Sequence, residues 1–161
     1  MRRAQGRKSR SGCPVSIALE VFGDRWSLLI VRDLMVRGFR SFKDFLGSGE
    51  GIASNILADR LRKLERAGIV LSEPGESDGR RVNYRLTGKG IDLAPVVLDL
   101  LIWGARHELT GTSCTLLLRM EKGREEILAE ARRRWQSHDT TPLIPRFDDD
   151  AARSLSSKSK G

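Results

Sequence analysis

Ser54 and Asn55 open a helical stretch that carries Arg62, Lys63 and Arg66 further along. Short polar side chains can reach base edges, and Asn pairs bidentately with adenine N6 and N7. Arginines and lysines further along meet phosphates, which fix position without reading sequence. A recognition helix needs both groups outward and an apolar stripe inward to hold it on its domain. Ala53, Ile56, Leu57, Leu61 and Leu64 supply that stripe. Arg80 and Arg81 form a second basic group just past the Asp78-Gly79 turn, and Lys43 adds a basic point upstream. Taken alone, the helix could equally be an ordinary solvated face with charges spaced at i, i+4. The hairpin that follows it tips the balance toward nucleic-acid contact.

The surrounding elements must position these residues. Pro14 suits the first position of a helix, and Val15, Ala18, Leu19 and Phe22 follow at helical spacing up to Gly23. Asp24 caps a second helix predicted over Arg25 to Arg37, apolar on two faces and therefore central to its domain. Gly38-Phe39-Arg40 reads as a turn or very short strand. Ser41-Phe42-Lys43-Asp44 is a capping box that starts a short helix with Phe42, Phe45 and Leu46 inward. Gly47 to Gly51 breaks it. The candidate recognition helix then runs from about Ala53 to Ala67 and stops at Gly68.

Ile69–Glu73 and Val82–Leu86 are β-type runs joined by a charged turn, which predicts a hairpin. Thr87 caps a long helix predicted over Gly88 to His107, bent near Pro95. It carries one apolar stripe of Leu93, Val97, Leu100 and Gly104, and another of Val96, Leu101 and Trp103. A small domain cannot bury both. Pairing with a second copy near Val96, Leu100 and Trp103 is expected, helped by a last helix over Glu121 to Gln136 that carries Trp135. Two short helices followed by a basic hairpin describe an α/β, mostly α, winged helix-turn-helix with a long dimerisation helix.

Composition bounds the partners. The 161 residues are 39% hydrophobic and 31% charged, which fits one globular domain with tails. Of the net charge of +8, residues 1–12 contribute +5, residues 137–161 contribute nothing, and the middle carries +3. An anionic partner is expected, double-stranded DNA first. The expected organisation is a disordered basic tail over 1–12, the DNA-binding domain over 13–111, a helical extension over 112–136 and a disordered tail over 137–161. No apolar run reaches the roughly 20 residues of a membrane helix. No apolar region follows Arg2-Arg3, so these are not an export signal. Two cysteines, Cys13 and Cys114, and two histidines make neither a disulfide framework nor a metal site. The expected compartment is a reducing cytoplasm.

Catalysis finds little support. Gly47-Ser48-Gly49-Glu50-Gly51 lacks the ending of a phosphate-binding loop, and Asp24, Asp33 and Asp44 have no His or Cys at ligand spacing. His107 more simply satisfies terminal carbonyls. No enzyme and no cofactor are expected. The rival binding class is an architectural, sequence-blind DNA- or RNA-binding protein. The modest charge of the folded part and the second apolar stripe argue against it.

Residues 13–107 resemble the HxlR-type regulators, a MarR-related branch of bacterial winged helix-turn-helix proteins. The resemblance rests on Cys13-Pro14, Gly23-Asp24-Arg25-Trp26-Ser27-Leu28-Leu29-Ile30 and Phe42-Lys43-Asp44-Phe45. It continues through Gly51 to Leu61, Leu64-Glu65-Arg66-Ala67-Gly68-Ile69-Val70, Tyr84 to Gly90, and Leu93-Ala94-Pro95-Val96. It implies a transcription regulator that binds operator DNA as a homodimer. Members often carry Pro and a basic residue where this chain has Ser54 and Asn55, so base preference does not carry over. Some members sense quinones or oxidants through a cysteine before the first helix, which matches Cys13 as a redox sensor. The N–H groups that open a helix favour thiolate over thiol. A small-molecule or oxidant effector is thus a further expected partner. Cys114, beside Thr115-Leu116-Leu117-Leu118, is expected to be buried.

Overall fold

Asp24 shows how the sequence sets the first corner. Its Oδ1 accepts from the backbone N–H groups of Trp26 and Ser27 at 3.1 and 3.0 Å, and its Oδ2 from the Ser27 hydroxyl at 2.7 Å. The first N–H groups of a helix have no internal partner, and an aspartate before them supplies one. In the computed structural model, which describes residues 11–75 and 81–144, α1 (Pro14–Phe22) therefore ends at Gly23 and α2 (Arg25–Arg32) begins. A π-helical turn, Asp33–Arg37, extends α2 and closes at Gly38, whose φ is 71°. The predicted helix to Arg37 thus changes its winding in the last turn. Asp33 is buried there, between Arg32 at 2.8 Å and Arg37 at 3.2 Å. A side chain on Gly38 would collide with the Thr140 carbonyl.

The capping box forms as expected and opens α3 (Phe42–Leu46). Phe45 is buried, whereas Leu46, expected inward, is exposed because this single turn offers the core only one face. α4 (Ser54–Arg66) buries Leu57, Leu61 and Leu64; Ala53, expected on the inward stripe, is its exposed N-cap. β1 (Val70–Pro74) and β2 (Val82–Leu86) pair antiparallel, Val70 opposite Leu86 and Pro74 opposite Val82. Ser41 bridges Asn83, and the Tyr84 N–H donates to the Arg40 carbonyl at 2.7 Å, so the segment read as a turn or very short strand meets β2 through one bridge just after it.

The long helix is two helices, α5 (Gly88–Ile91) and α6 (Ala94–His107). Pro95 has no N–H to donate to Ile91, so the helix restarts instead of bending through. α5 packs so close to the residue before β1 that a Cβ on Gly90 would meet the Ile69 carbonyl.

The C-terminal part corrects the sequence reading most. A further helix, α7 (Cys114–Lys122), precedes α8 (Arg124–Ser137); the first is capped by Ser113 and the two are parted by Gly123. Leu116 and Met120, one turn apart, are buried on α7. Its first residue, Cys114, is exposed, because the buried face of α7 runs through Leu116 and Met120 and leaves Cys114 and Leu118 outside it. The tail expected from residue 137 onward is folded to Ile144. His138 ends α8 in a left-handed conformation, the Leu143 N–H donates to the Val36 carbonyl at 2.7 Å, and Ile144 is buried. Two apolar side chains beside an open core edge favour ordering over solvation. Except for Ser11 and Gly12, the basic tail lies outside the described residues. Among these residues no helix is long and apolar enough to cross a membrane.

The architecture is a mostly helical winged helix-turn-helix. One core joins α2, α3, α4, the hairpin and α6, and the C-terminal helices extend it.

Candidate nucleic-acid interface

The turn between α3 and α4 decides where α4 begins. Glu50 in that turn accepts from Arg32 at 2.9 Å and from Arg25 at 3.2 Å, and Arg37 donates to the Ser48 carbonyl at 3.1 Å. Burial works to raise the Glu50 carboxyl, but the bonds and charges of Arg32 and then Arg25 outweigh it and hold it below the usual range. Three arginines of α2 and its π-helical turn thus clamp what the sequence showed only as a glycine-rich breaker. Asp33 goes the other way. Burial pushes its carboxyl up, even with Arg32 and Arg37 against it.

On α4 the expected residues divide. Ser54, Asn55 and Arg62 are exposed, as is Lys43 on α3, and the four share the helix-turn-helix unit. Lys63 does not join them. It is half-buried and donates to Asp24 Oδ2 at 3.1 Å, so it holds α4 against the head of α2 instead of facing outward. Arg60, not singled out from the sequence, stands on the same side, with Nε 3.6 Å from Asp24 Oδ1. Partial burial works to raise the Asp24 carboxyl; hydrogen bonds from Ser27 and Lys63 and the charge of Arg60 overcome it and hold it low. A helix-capping Asp and a basic residue 39 positions on carry no local sequence signal of contact.

In the hairpin, Arg81 is exposed, and its carbonyl accepts from the Gly75 N–H at 2.7 Å, closing the base of the tip. Arg80 lies outside the described residues. Val96, Leu100 and Trp103 on α6 are 41%, 51% and 55% exposed. Trp135, expected to help a partner contact, is committed within the chain, its indole N–H donating to the Leu86 carbonyl at 2.8 Å. α1 buries none of its residues and exposes Val15, Ile17 and Leu19. Cys13 is the exposed N-cap of α1, with a free thiol. Among the described residues, no group of three or more His, Cys, Asp or Glu side chains is arranged to hold a metal.

Known proteins similar to this chain are named as transcriptional regulators. The family model described as HxlR-like helix-turn-helix matches residues 21–110. An uncharacterised HTH-type transcriptional regulator of Mycobacterium tuberculosis, Rv3095, is 41% identical over 96 residues, 60% of this chain; the chain spans 60% of that relative's length. The structure of PA1607, described as a candidate transcription factor, matches with a TM-score of 0.58 and 41% identity over 63% of this chain and 70% of its own. The redox regulator HypR in its oxidised form matches with a TM-score of 0.55 and 32% identity, over 61% of this chain and all of its own. The chain belongs to the HxlR-like helix-turn-helix family of transcriptional regulators.

Proposed function

We propose that this protein regulates transcription by binding an operator sequence-specifically as a homodimer. One observation carries the reading. Ser54 and Asn55 are exposed at the start of α4, while Leu57, Leu61 and Leu64 anchor the opposite side. Ala53 supplies no side-chain cap, so the first N–H groups of α4 remain for a DNA phosphate. Arg62, Lys43 and the wing at Arg80 and Arg81 add backbone contacts that fix register. Lys63 is left out, being bound to Asp24.

The exposed faces of α6 and α1 support the homodimer. Trp103 and Leu100 on one, with Val15 and Leu19 on the other, are more than half exposed. Large apolar side chains left this exposed on a small domain favour an interface. Two-fold symmetry would present two α4 helices to half-sites about one helical turn apart. The regulatory input fits a thiol. Cys13 is exposed beside the N-terminus of α1, and the likeness to HypR supports an oxidant as effector. The test is selection of bound DNA from a random pool. An inverted repeat establishes class and symmetry together; a pool that stays random favours a sequence-blind architectural protein.

A further inference from the structure

The C-terminal helices do more than thicken the core. Between the root of the hairpin, the π-helical turn and the end of α8 lies a cavity of about 290 Å³. That is near the lower end for a small-molecule site, roughly 300–1,000 Å³. Its lining is more polar than apolar, with the buried Leu34, Leu86 and Ala131 behind it. Trp135 forms one wall and offers its ring, because its N–H is already bound to the Leu86 carbonyl.

Arg40, Arg85 and Arg134 supply the positive charge, and Arg134 is paired with Glu130 at 2.7 Å and donates to the carbonyls of Thr141 and Pro142. Arg85 is paired with Glu73 at 3.3 Å. Asp139, the other carboxylate of the wall, accepts from the N–H and hydroxyl of Thr141 at 2.9 and 2.8 Å. Arg40 is different. It is half-buried, and its Nη1 donates to the carbonyls of Leu34 and Phe39 at 2.9 and 2.8 Å. Among the described residues no carboxylate lies within ion-pair distance of it, and its Nε–Nη2 edge carries no bond. Burial first, and the neighbouring Arg85 second, disfavour its charge, and the more distant carboxylates of Asp44 and Glu73 offset this only in part. A half-buried guanidinium with no carboxylate in direct contact has an open edge, and a planar anion fills it with two parallel hydrogen bonds.

We propose that this cavity binds a small aromatic carboxylate, its carboxylate on the Nε–Nη2 edge of Arg40 and its ring against Trp135. An inorganic anion would leave the indole wall empty. Occupancy ties β2, the inner strand of the wing, to α8 and adjusts the wing from outside the helix-turn-helix. Only that regulatory consequence rests on the DNA-binding reading.

Calorimetric titration of the full chain without DNA, using benzoate, benzamide and inorganic phosphate in turn, tests the site. Benzoate is expected to bind once per chain, with benzamide and phosphate at least tenfold weaker. Arg40→Lys keeps the charge but loses the fork and should weaken benzoate tenfold or more. Ala131→Leu narrows the cavity and should do the same with Arg40 intact, so it decides the matter if Arg40→Lys does not fold. No binding at millimolar benzoate, equal binding of benzamide or phosphate, or wild-type affinity in a folded Ala131→Leu overturns the proposal. Because no DNA is present, such a failure leaves the operator reading standing, and a failed operator selection leaves the cavity result standing.

Discussion

Lys63 on α4 places its Nζ 3.1 Å from Oδ2 of Asp24, the cap of α2. The contact joins the helix that faces DNA to the helix at the centre of the domain, and it takes one base away from the outward face. Lys63→Ala should therefore leave the salt dependence of DNA binding unchanged. Arg62→Ala should lower the salt slope by about 1, as expected for one lost phosphate contact. Binding titrations at several salt concentrations compare the two; an equal drop in slope would count Lys63 among the DNA contacts.

The same carboxylate sets an acid limit. Asp24 and Glu50 are held below their ordinary range, so their contribution is present above the unfolded-state values and is lost as pH falls through the folded ones. Those unfolded values are about 3.9 and 4.3. Asp33 is raised, so its protonation in the same window favours the folded state and partly offsets the loss. Urea unfolding between neutral pH and about pH 3 should show stability falling in acid, less steeply in Asp24→Asn. Asp24→Ala should cost about 0.5–2 kcal/mol at neutral pH through the lost cap.

Asn55 and Arg81 should separate sequence reading from anchoring. Asn55→Ala should lose about 1–3 kcal/mol on a selected operator and little on random DNA. Arg81→Ala should weaken both DNAs alike and reduce the salt slope by about 1. Fluorescence anisotropy with cognate and scrambled duplexes reads both. Equal losses for Asn55→Ala on the two duplexes would count against base contact there.

Leu100 and Trp103 are exposed in the single chain and should be covered in solution. A dimer through α6 and α1 should bury on the order of 1,600 Å² or more. Leu100→Glu should yield folded monomers in sedimentation at micromolar concentration and lose operator affinity with them. A wild-type chain that is itself monomeric there would exclude the dimer.

Cys13 and Cys114 are both exposed free thiols at helix starts, so each needs its own substitution. Mild diamide or quinone treatment should reduce operator affinity in the wild type and in Cys114→Ser but leave Cys13→Ser unchanged. Unaltered wild-type affinity would reduce Cys13 to a helix-flanking residue.

The sequence alone determined most of the helix-turn-helix and its wing. Its signals there are local: Asp24 and Ser41 before their helices, Leu57, Leu61 and Leu64 at helical spacing, and two β-type runs around an Asp-Gly turn. Backbone hydrogen bonding reaches only a few residues, so such signals can be read one segment at a time. Tertiary structure decided what depends on distant partners. Lys63 looked outward by periodicity and turned to Asp24, because a nearby carboxylate outweighs solvation of a half-buried ammonium. Glu50 looked like part of a breaker until three arginines of another segment met its turn. Trp135 looked free for a partner until the Leu86 carbonyl accepted its N–H. Leu143 and Ile144 sat in a polar tail whose average composition hid two apolar side chains, and only the folded core offered them a place. The energy of such contacts depends on which surfaces the fold brings together, and spacing along the chain does not encode that.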